Sequence, residues 1–414
     1  MIGNAVMTTK PFALIVCAAC VSTAFAAVEP LSPVKDETVE LLPSVQKKVL
    51  GVPTLAGRIA LTKEREIRKD RSWRQSRPLV LSCRTTCGEK GPWKVTLGKA
   101  ADFSDARTWY VKKGKMEKPE DCGNGVTQAV VRIELPLANL EIATRYYWKV
   151  GCRDTCGFGC HPGHGCEACK RFAETPVASF VTEDLAPRWI AIEGDVHNFR
   201  DLGGRIGQGG RRVRQGMIYR GQGLNDNSVT GEVKGRNRLT VEDVGYLTGT
   251  LGIRTDLDLR GPGEIADMKE SPLGPSVKFV WHSSQCYTGI FRSVGKKAMA
   301  DNFRVVCDRA NYPVYFHCIA GADRTGALAY VLNGVLGVSR RELETDWEST
   351  FYPNIPDDNP DPKYWCRESH FNDGFSKYGE ADTPWNDRIV LYLKDCGITD
   401  AEIETFRMIM LENK

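Results

Sequence analysis

The 414-residue sequence carries little net charge, +4 at neutral pH from 56 basic and 52 acidic residues. No block of lysine or arginine is long enough to follow a phosphate backbone, so nucleic acid is excluded as the expected partner. An uninterrupted apolar run of the ~20 residues that a membrane-spanning helix needs is also missing. The longest run, "FALIVCAACV" at 12–21, has Pro11 on one side and a small-residue exit on the other. Metal-ligand spacing is scarce. In "CRDTCGFGCHPGHGCEAC" (152–169), which also holds His161 and His164, only the last cysteine pair has the two-residue gap of a zinc knuckle. No metal or cofactor is expected, with a zinc knuckle at 152–169 kept as the alternative to disulfides there.

The N-terminus has a different grammar. Lys10, the apolar run and then "STAFA", with Ala24 and Ala26 in small-residue positions, read as a secretory leader over residues 1–26. The protein is therefore expected to be secreted or periplasmic. A lipid anchor on Cys20 ranks second, because Cys17 stands where an aliphatic residue is usual. Export gives the 15 cysteines a meaning. Eight of them, Cys83, Cys87, Cys122, Cys152, Cys156, Cys160, Cys166 and Cys169, are dense and even in number, and are expected to form four disulfides with Cys318 left free.

Residues 27–184 read as an all-β sandwich with a Cys-rich loop at 152–169. "PWKVTLGKA", "ARTWYVKK", "TQAVVRIELPL", "TRYYWKVGC" and "ASFVTED" are short runs rich in Val, Ile, Tyr and Trp, separated by turn residues. "LPLANLEIATRYYWKV" followed by "FVTED" resembles the late strands of a fibronectin type III domain. The stretch "PSVQKKVLGVPTLAGRIALTKEREIRKDRS" does not fit that pattern and is expected to be an excursion between the first two strands. Nothing here looks catalytic. A spacer or adhesion module is the default, with protein or polysaccharide as the partner class.

From 185 to 414 strands alternate with helices, which argues an α/β fold around a largely parallel sheet. "RTDLDLRG", "VKFVWHS" and "PVYFHC" are the strands. Residues 239–253 predict an amphipathic helix burying Leu239, Val241, Val244, Leu247 and Leu251, and two further helices follow from "DRTGALAYVLNGVLG" and from "TDAEIETFRMIMLEN", capped at Thr399 or Asp400.

The string "HCIAGADRTG" at 317–326 joins the buried strand to a helix through a glycine-containing turn. Such a turn gathers backbone N–H groups at the positive end of the helix, which makes an anion cradle from Ile319, Ala320, Gly321 and Ala322. Cys318 lies at its base, where those dipoles favour thiolate over thiol. Arg324 adds a planar fork that binds two oxygens of one phosphoryl group. A thiolate inside a tetrahedral-anion site is a nucleophile aimed at phosphorus, and in-line displacement through a phosphocysteine needs no metal. Thr325 can donate a hydrogen bond to the sulfur as it leaves, and His317 locks the loop rather than acting as a base.

The string resembles the signature of the cysteine-dependent protein tyrosine phosphatase superfamily. "NFRDLGG" (198–204), "MIYRGQGL" (217–224) and "LGIRTDLDLRGPGE" (251–264) resemble, in order, the blocks of its bacterial tyrosine phosphatase family. The likeness covers about 190–350. It implies Cys318 as nucleophile, Arg324 as phosphate ligand, Asp323 as general acid, and phosphotyrosine-containing proteins or peptides as substrates. Members also act on phosphoserine, phosphothreonine or phosphoinositides. Ala322 stands where the family usually has lysine, which weighs against multiply phosphorylated head groups. The acid-bearing W-P-D string of many relatives is missing, and "WHSSQC" (281–286) carries no carboxylate. Arg200 and Asp201 either touch substrate or hold the turn beside Gly203. Arg260 and Glu264 are read as braces for neighbouring loops. The insertion "NDNSVTGEVKGRN" (225–237) is read as a surface loop, and so is the aromatic, Pro-rich stretch at 347–365. Two other classes stay open: a phosphate-binding pseudoenzyme, and another cysteine-loop chemistry such as sulfur transfer or arsenate reduction.

Overall fold

The computed structural model describes residues 28–64, 67, 77–85, 90–117, 120–121, 127–153, 172–225, 237–265, 268–350 and 368–413. The expected leader, nearly all of the Cys-rich loop, and residues 226–236 and 351–367 lie outside them.

Two sheets fill the N-terminal part. One holds β1 (Val28–Ser32), β3 (Leu79–Thr85), β6 (Lys115–Met116), β7 (Glu120–Asp121) and β8 (Thr127–Leu135). The other holds β2 (Thr38–Val39), β4 (Lys90–Gly98), β5 (Arg107–Lys113), β9 (Arg145–Arg153), β10 (Phe172–Glu174) and β11 (Ala178–Thr182). Alternation along each strand decides which side chains meet. Leu79, Leu81 and Cys83 of β3 share one core with Val95 and Leu97 of β4 and Trp148 and Val150 of β9.

Two expectations for this part are corrected. It is not all strand, because α1 (Ser44–Gly51) and α2 (Leu55–Thr62) occupy the excursion, which lies between the second and third strands. Pro43 precedes α1, and the Thr54 hydroxyl caps α2 by accepting from the Gly57 amide at 3.2 Å. Cys83 is a free thiol, 1% exposed among the apolar side chains of the core, and burial pushes it up to about 12. Its strand position points inward, away from any surface loop. Cys152 is disulfide-bonded, and because the other described cysteines are all free its partner lies outside the described residues. Without Cys83, seven of the eight cysteines remain, too few for four bridges.

The α/β part is built on a sheet of order β12 (Arg188–Trp189), β13 (Arg200–Asp201), β14 (Ile218–Gly221), β17 (Val314–His317), β15 (Thr255–Asp258), β16 (Lys278–Trp281). The last four run parallel, and β12 and β13 are antiparallel. Val314 and Phe316 of β17 pack with Leu257 and Leu259 against the helical layer, whereas Tyr315 joins Phe199, Tyr219 and Leu247 on the opposite face. The helices are α3 (Val241–Gly245), α4 (Ser293–Cys307), α5 (Asp323–Val335), α6 (Arg340–Ser349), α7 (Glu368–Phe375), α8 (Trp385–Asp395) and α9 (Asp400–Met410). Thr399 caps α9 in a capping box with Glu402.

The amphipathic pattern at 239–253 is only partly realised. A capping box at Thr240 starts α3 two residues after Leu239 and leaves Val241 84% exposed in the first turn. A wider π-helical turn over Tyr246–Thr250 then shifts the phase, and of the five expected residues Leu247 alone is fully buried.

Register places the chemistry. Gly221, His317 and Asp258 lie side by side at the ends of three parallel strands. Everything that follows those strands therefore gathers on one rim of the sheet. His317 is clamped there. Its Nε2 lies 3.0 Å from Asp256 Oδ1, as a charge contact rather than an aligned hydrogen bond, and its Nδ1 donates to the Cys318 carbonyl at 3.1 Å. Burial would lower the imidazole pKa, but Asp258 and Asp256 outweigh it and raise it.

The N-terminal helices dock on the α/β part. Arg58 of α2 pairs with Glu348 of α6 through Nε at 2.6 Å and Nη2 at 2.9 Å, both side chains being buried. Arg341 of α6 donates to the carbonyls of Leu50 and Val52. Arg188 joins the sandwich loop to the third sheet, donating to the carbonyls of Leu140 and Asn139 and to Asp201.

Two outcomes follow. Arg58→Met leaves Glu348 buried without a partner and is expected to cost about 3–5 kcal/mol in chemical denaturation, with much of it recovered in Arg58→Met/Glu348→Leu. A single variant as stable as the parent would show that the helices contribute nothing there. Because the folded pKa of His317 is raised, its contribution to stability is complete below the unfolded value of ~6.5 and is lost as pH rises through the folded value. His317→Gln should flatten that alkaline decline in denaturant midpoints measured from pH 6 to 9.

Candidate active site

The loop between β17 and α5 begins at Cys318, a free cysteine 2% exposed. Its carbonyls are tied back one after another. The Gly223 amide donates to Ile319 O at 3.0 Å. Asn198 Nδ2 donates to Ala320 O at 3.3 Å and to Gly321 O at 2.8 Å, and Arg220 Nη2 reaches the same Gly321 oxygen at 2.7 Å. A trans peptide sets the carbonyl of one residue opposite to the N–H of the next. Pinning the carbonyls of 319, 320 and 321 therefore turns the amides of 320, 321 and 322 to the opposite side of the loop, and those amides have no acceptor among the described residues. The first-turn amides of α5 add to them, unpaired as at any helix start.

Gly321 is required twice. Its φ is +66°, and a Cβ there would stand 2.3 Å from the Gly221 carbonyl group. Asn198, which reaches across to it, holds a φ of +59° itself.

Arg324 stands in the first turn of α5 and is held by Glu264 through both terminal guanidinium nitrogens, Nη1 at 2.5 Å and Nη2 at 3.1 Å. Burial would raise the Glu264 pKa, but Arg324 and the Gly261 amide lower it and keep the carboxylate ionised. The side chains are 18% and 20% exposed, so the pair sits at the mouth of the loop. Asp323 accepts a hydrogen bond from the Tyr287 hydroxyl, and the Tyr287 ring packs against Trp347 with centroids 5.7 Å apart. Thr325 is buried and its hydroxyl has no partner among the described residues, so the bond to Cys318 expected of it is not formed here. Ala322 accepts the Gly326 amide at 2.7 Å and starts the helix.

The expected supporting residues divide. His317 and Arg260 are braces. Arg260 is fully buried and binds Asp258 at 2.7 to 3.0 Å, while the Trp281 indole donates to its carbonyl. Asp201 is not at the site. Its carboxylate takes Arg188 and the amides of Gly203 and Gly216, and so closes the turn beside the glycines. Arg200 lies behind the loop, on Asp346 and Asn198.

Several contributors were not singled out from sequence. Tyr287 had no signal. Arg220 had one: a charged residue inside the apolar run "MIYRGQGL" must find a buried partner. That partner is Asp346, which sits in a helix with no pattern to mark it.

The thiols differ in setting. Burial pushes Cys83 and Cys307 up to about 12, and Cys286 and Cys396 to about 11, where thiolate is scarce. Cys318 alone among the described cysteines opens a loop of inward amides. Those residues contain no cluster of side chains suited to a metal ion.

Comparison with known proteins agrees with this geometry. Residues 190–356 match the model of the tyrosine phosphatase family. A Cupriavidus necator protein named "Putative tyrosine-protein phosphatase" is 30% identical over 192 residues, covering 38% of this chain and 64% of that one. The chain thus spans a little under two thirds of that relative's length. The core catalytic domain of the PP-IP phosphatase SIW14 from S. cerevisiae, crystallised with citrate, is 16% identical, covers 34% of this chain and 74% of its own, and gives a TM-score of 0.23. A score that low carries no argument. The segment around Cys318 is thus similar in sequence to the tyrosine phosphatase family, and it is built on an α/β fold with Cys318 at the end of a central parallel strand.

Proposed function

We propose that the chain is an exported protein tyrosine phosphatase that hydrolyses phosphomonoesters through a phosphocysteine on Cys318. The observation that carries this is the loop itself: amides turned inward beside a cysteine, with the Arg324 fork at the mouth already engaged by a carboxylate. Export rests on the leader pattern of residues 1–26.

In the first step the Cys318 thiolate attacks phosphorus in line with the ester oxygen. The S–P bond forms as the P–O bond breaks, and the leaving phenoxide takes a proton from Asp323. The equatorial oxygens lie on the loop amides and on Arg324, which leaves Glu264 to bind them. In the second step water attacks phosphorus, Asp323 takes its proton, the P–S bond breaks and inorganic phosphate leaves. The Thr325 hydroxyl, buried and without a partner among the described residues, has a donor to offer the departing sulfur.

Turnover of a chromogenic aryl phosphate in the presence of reductant is the direct test. Cys318→Ser should bind phosphate and show no turnover, and Arg324→Ala should lose about 10²–10³ in kcat with weaker phosphate binding. Full activity in Cys318→Ser would end the phosphocysteine mechanism. Leaving-group dependence tests the acid. Asp323→Asn is expected to slow phosphotyrosine hydrolysis by ~10²–10⁴ and an ester with a low-pKa leaving group far less. Equal losses on both substrates would reduce Asp323 to a partner for Tyr287.

A further inference from the structure

Behind the loop, one carboxylate faces three guanidiniums. Asp346 lies 3.0 Å from Arg200 Nε, 3.2 Å from Arg205 Nη2 and 2.5 Å from Arg220 Nη1, and no side chain of the four is more than 4% exposed. Three positive charges against one negative leave a formal surplus of +2 where water does not reach. Burial holds Arg200 and Arg220 below the usual arginine range, and Arg220 adds to the effect on Arg200. Asp346 shows the complement. Burial would raise its pKa, but Arg200, Arg220 and Arg205 hold it well below the carboxylate range. A dry surplus of charge is costly unless an anion lies beside it.

Arg220 carries that surplus to the loop. Its Nη2 donates to Gly321 O at 2.7 Å, its Nη1 is on Asp346, and its Nε is buried with no acceptor among the described residues. The planar fork thereby spans two elements, the loop and α6, which the point charge of a lysine cannot do. We propose that Arg220, anchored by Asp346, is a positioning residue that keeps the loop amides turned toward the anion and holds Cys318 as thiolate before substrate arrives. The proposal rests on the phosphate-binding reading of the loop. Among the described residues, Arg220 from β14, Arg324 from α5, Cys286 from the segment before α4 and Tyr315 from the preceding strand interact electrostatically with Cys318, and His317 bonds its carbonyl.

The test uses the full chain with Arg220→Lys, Arg220→Gln and Asn198→Gly. Two quantities are read: the dissociation constant of inorganic phosphate, and the pH midpoint of iodoacetamide alkylation followed on the Cys318 peptide by mass spectrometry. Arg220→Gln loses charge and bridge together. Its midpoint should rise by about one unit or more, and phosphate should bind about tenfold more weakly or worse. Arg220→Lys keeps the charge and loses the bridge, so phosphate weakens while the midpoint stays near that of the parent. Asn198→Gly suits the positive φ and removes the second donor to Gly321 O together with the side-chain bonds to Ala320 O, Thr350 and Arg200, while Arg220 stays in place, so phosphate weakens several-fold with the midpoint unmoved. Should Arg220→Gln not fold, the other two variants decide. Phosphate affinity within twofold of the parent in Arg220→Lys, or an unmoved midpoint in a folded Arg220→Gln, would overturn the proposal. A parent protein that neither binds phosphate nor cleaves aryl phosphate would instead sink the functional reading, while the alkylation midpoints still judge the role of Arg220 charge.

Discussion

Asp346 is the constraint on which the rest of the site depends. Its carboxylate receives Arg200 from β13, Arg205 from the turn that follows and Arg220 from β14, and it stands on α6, beyond the helix that the loop starts. Elements far apart in sequence are thus fixed relative to one another by one buried charge. Removing an apolar contact from such a region lets neighbours relax into the gap, whereas removing this carboxylate leaves three guanidiniums with no counter-ion. The orientation of the Gly321 carbonyl, and with it the direction of the loop amides, is downstream of that arrangement.

The sandwich and the α/β part are joined by polar contacts that reach close to the same cluster. Trp189, whose ring lies beneath the Arg200 guanidinium, donates from its indole to Gln46 of α1. Arg58 of α2 meets Glu348 two residues after Asp346. A covering of helices from the excursion therefore backs the helix that holds the arginines. These contacts keep the buried pairs dry, which is what makes their electrostatics strong.

The sequence made the loop legible because its chemistry is local: the strand, the glycine, the cysteine and the arginine lie within ten residues, and each constrains its neighbours. The strands of the sandwich were legible for the same reason, through alternation. What stayed hidden was long-range. Nothing near Asp346 announces three partners more than a hundred residues upstream. Asp201 looked functional because an acidic residue beside two glycines fits a site as well as a turn, and only its three hydrogen bonds separate the two. Cys83 was grouped with the surface cysteines by spacing in the chain, although its inward phase on β3 already placed it in the core. The 239–253 pattern failed at Val241 because the capping box, not the periodicity, set where the helix starts.

The pair between Arg324 and Glu264 bears on how the site empties. A guanidinium with no partner would hold a dianion tightly and would collapse or wander when the dianion left. Here the carboxylate is an internal stand-in for the ligand, presenting two oxygens to the same fork. On the function proposed above, an incoming phosphoryl group would have to compete with it, which would lower apparent affinity. The same competition would help to expel the product, because the fork would fall back onto Glu264 as phosphate departs. Tightness of binding would then be exchanged for speed of turnover.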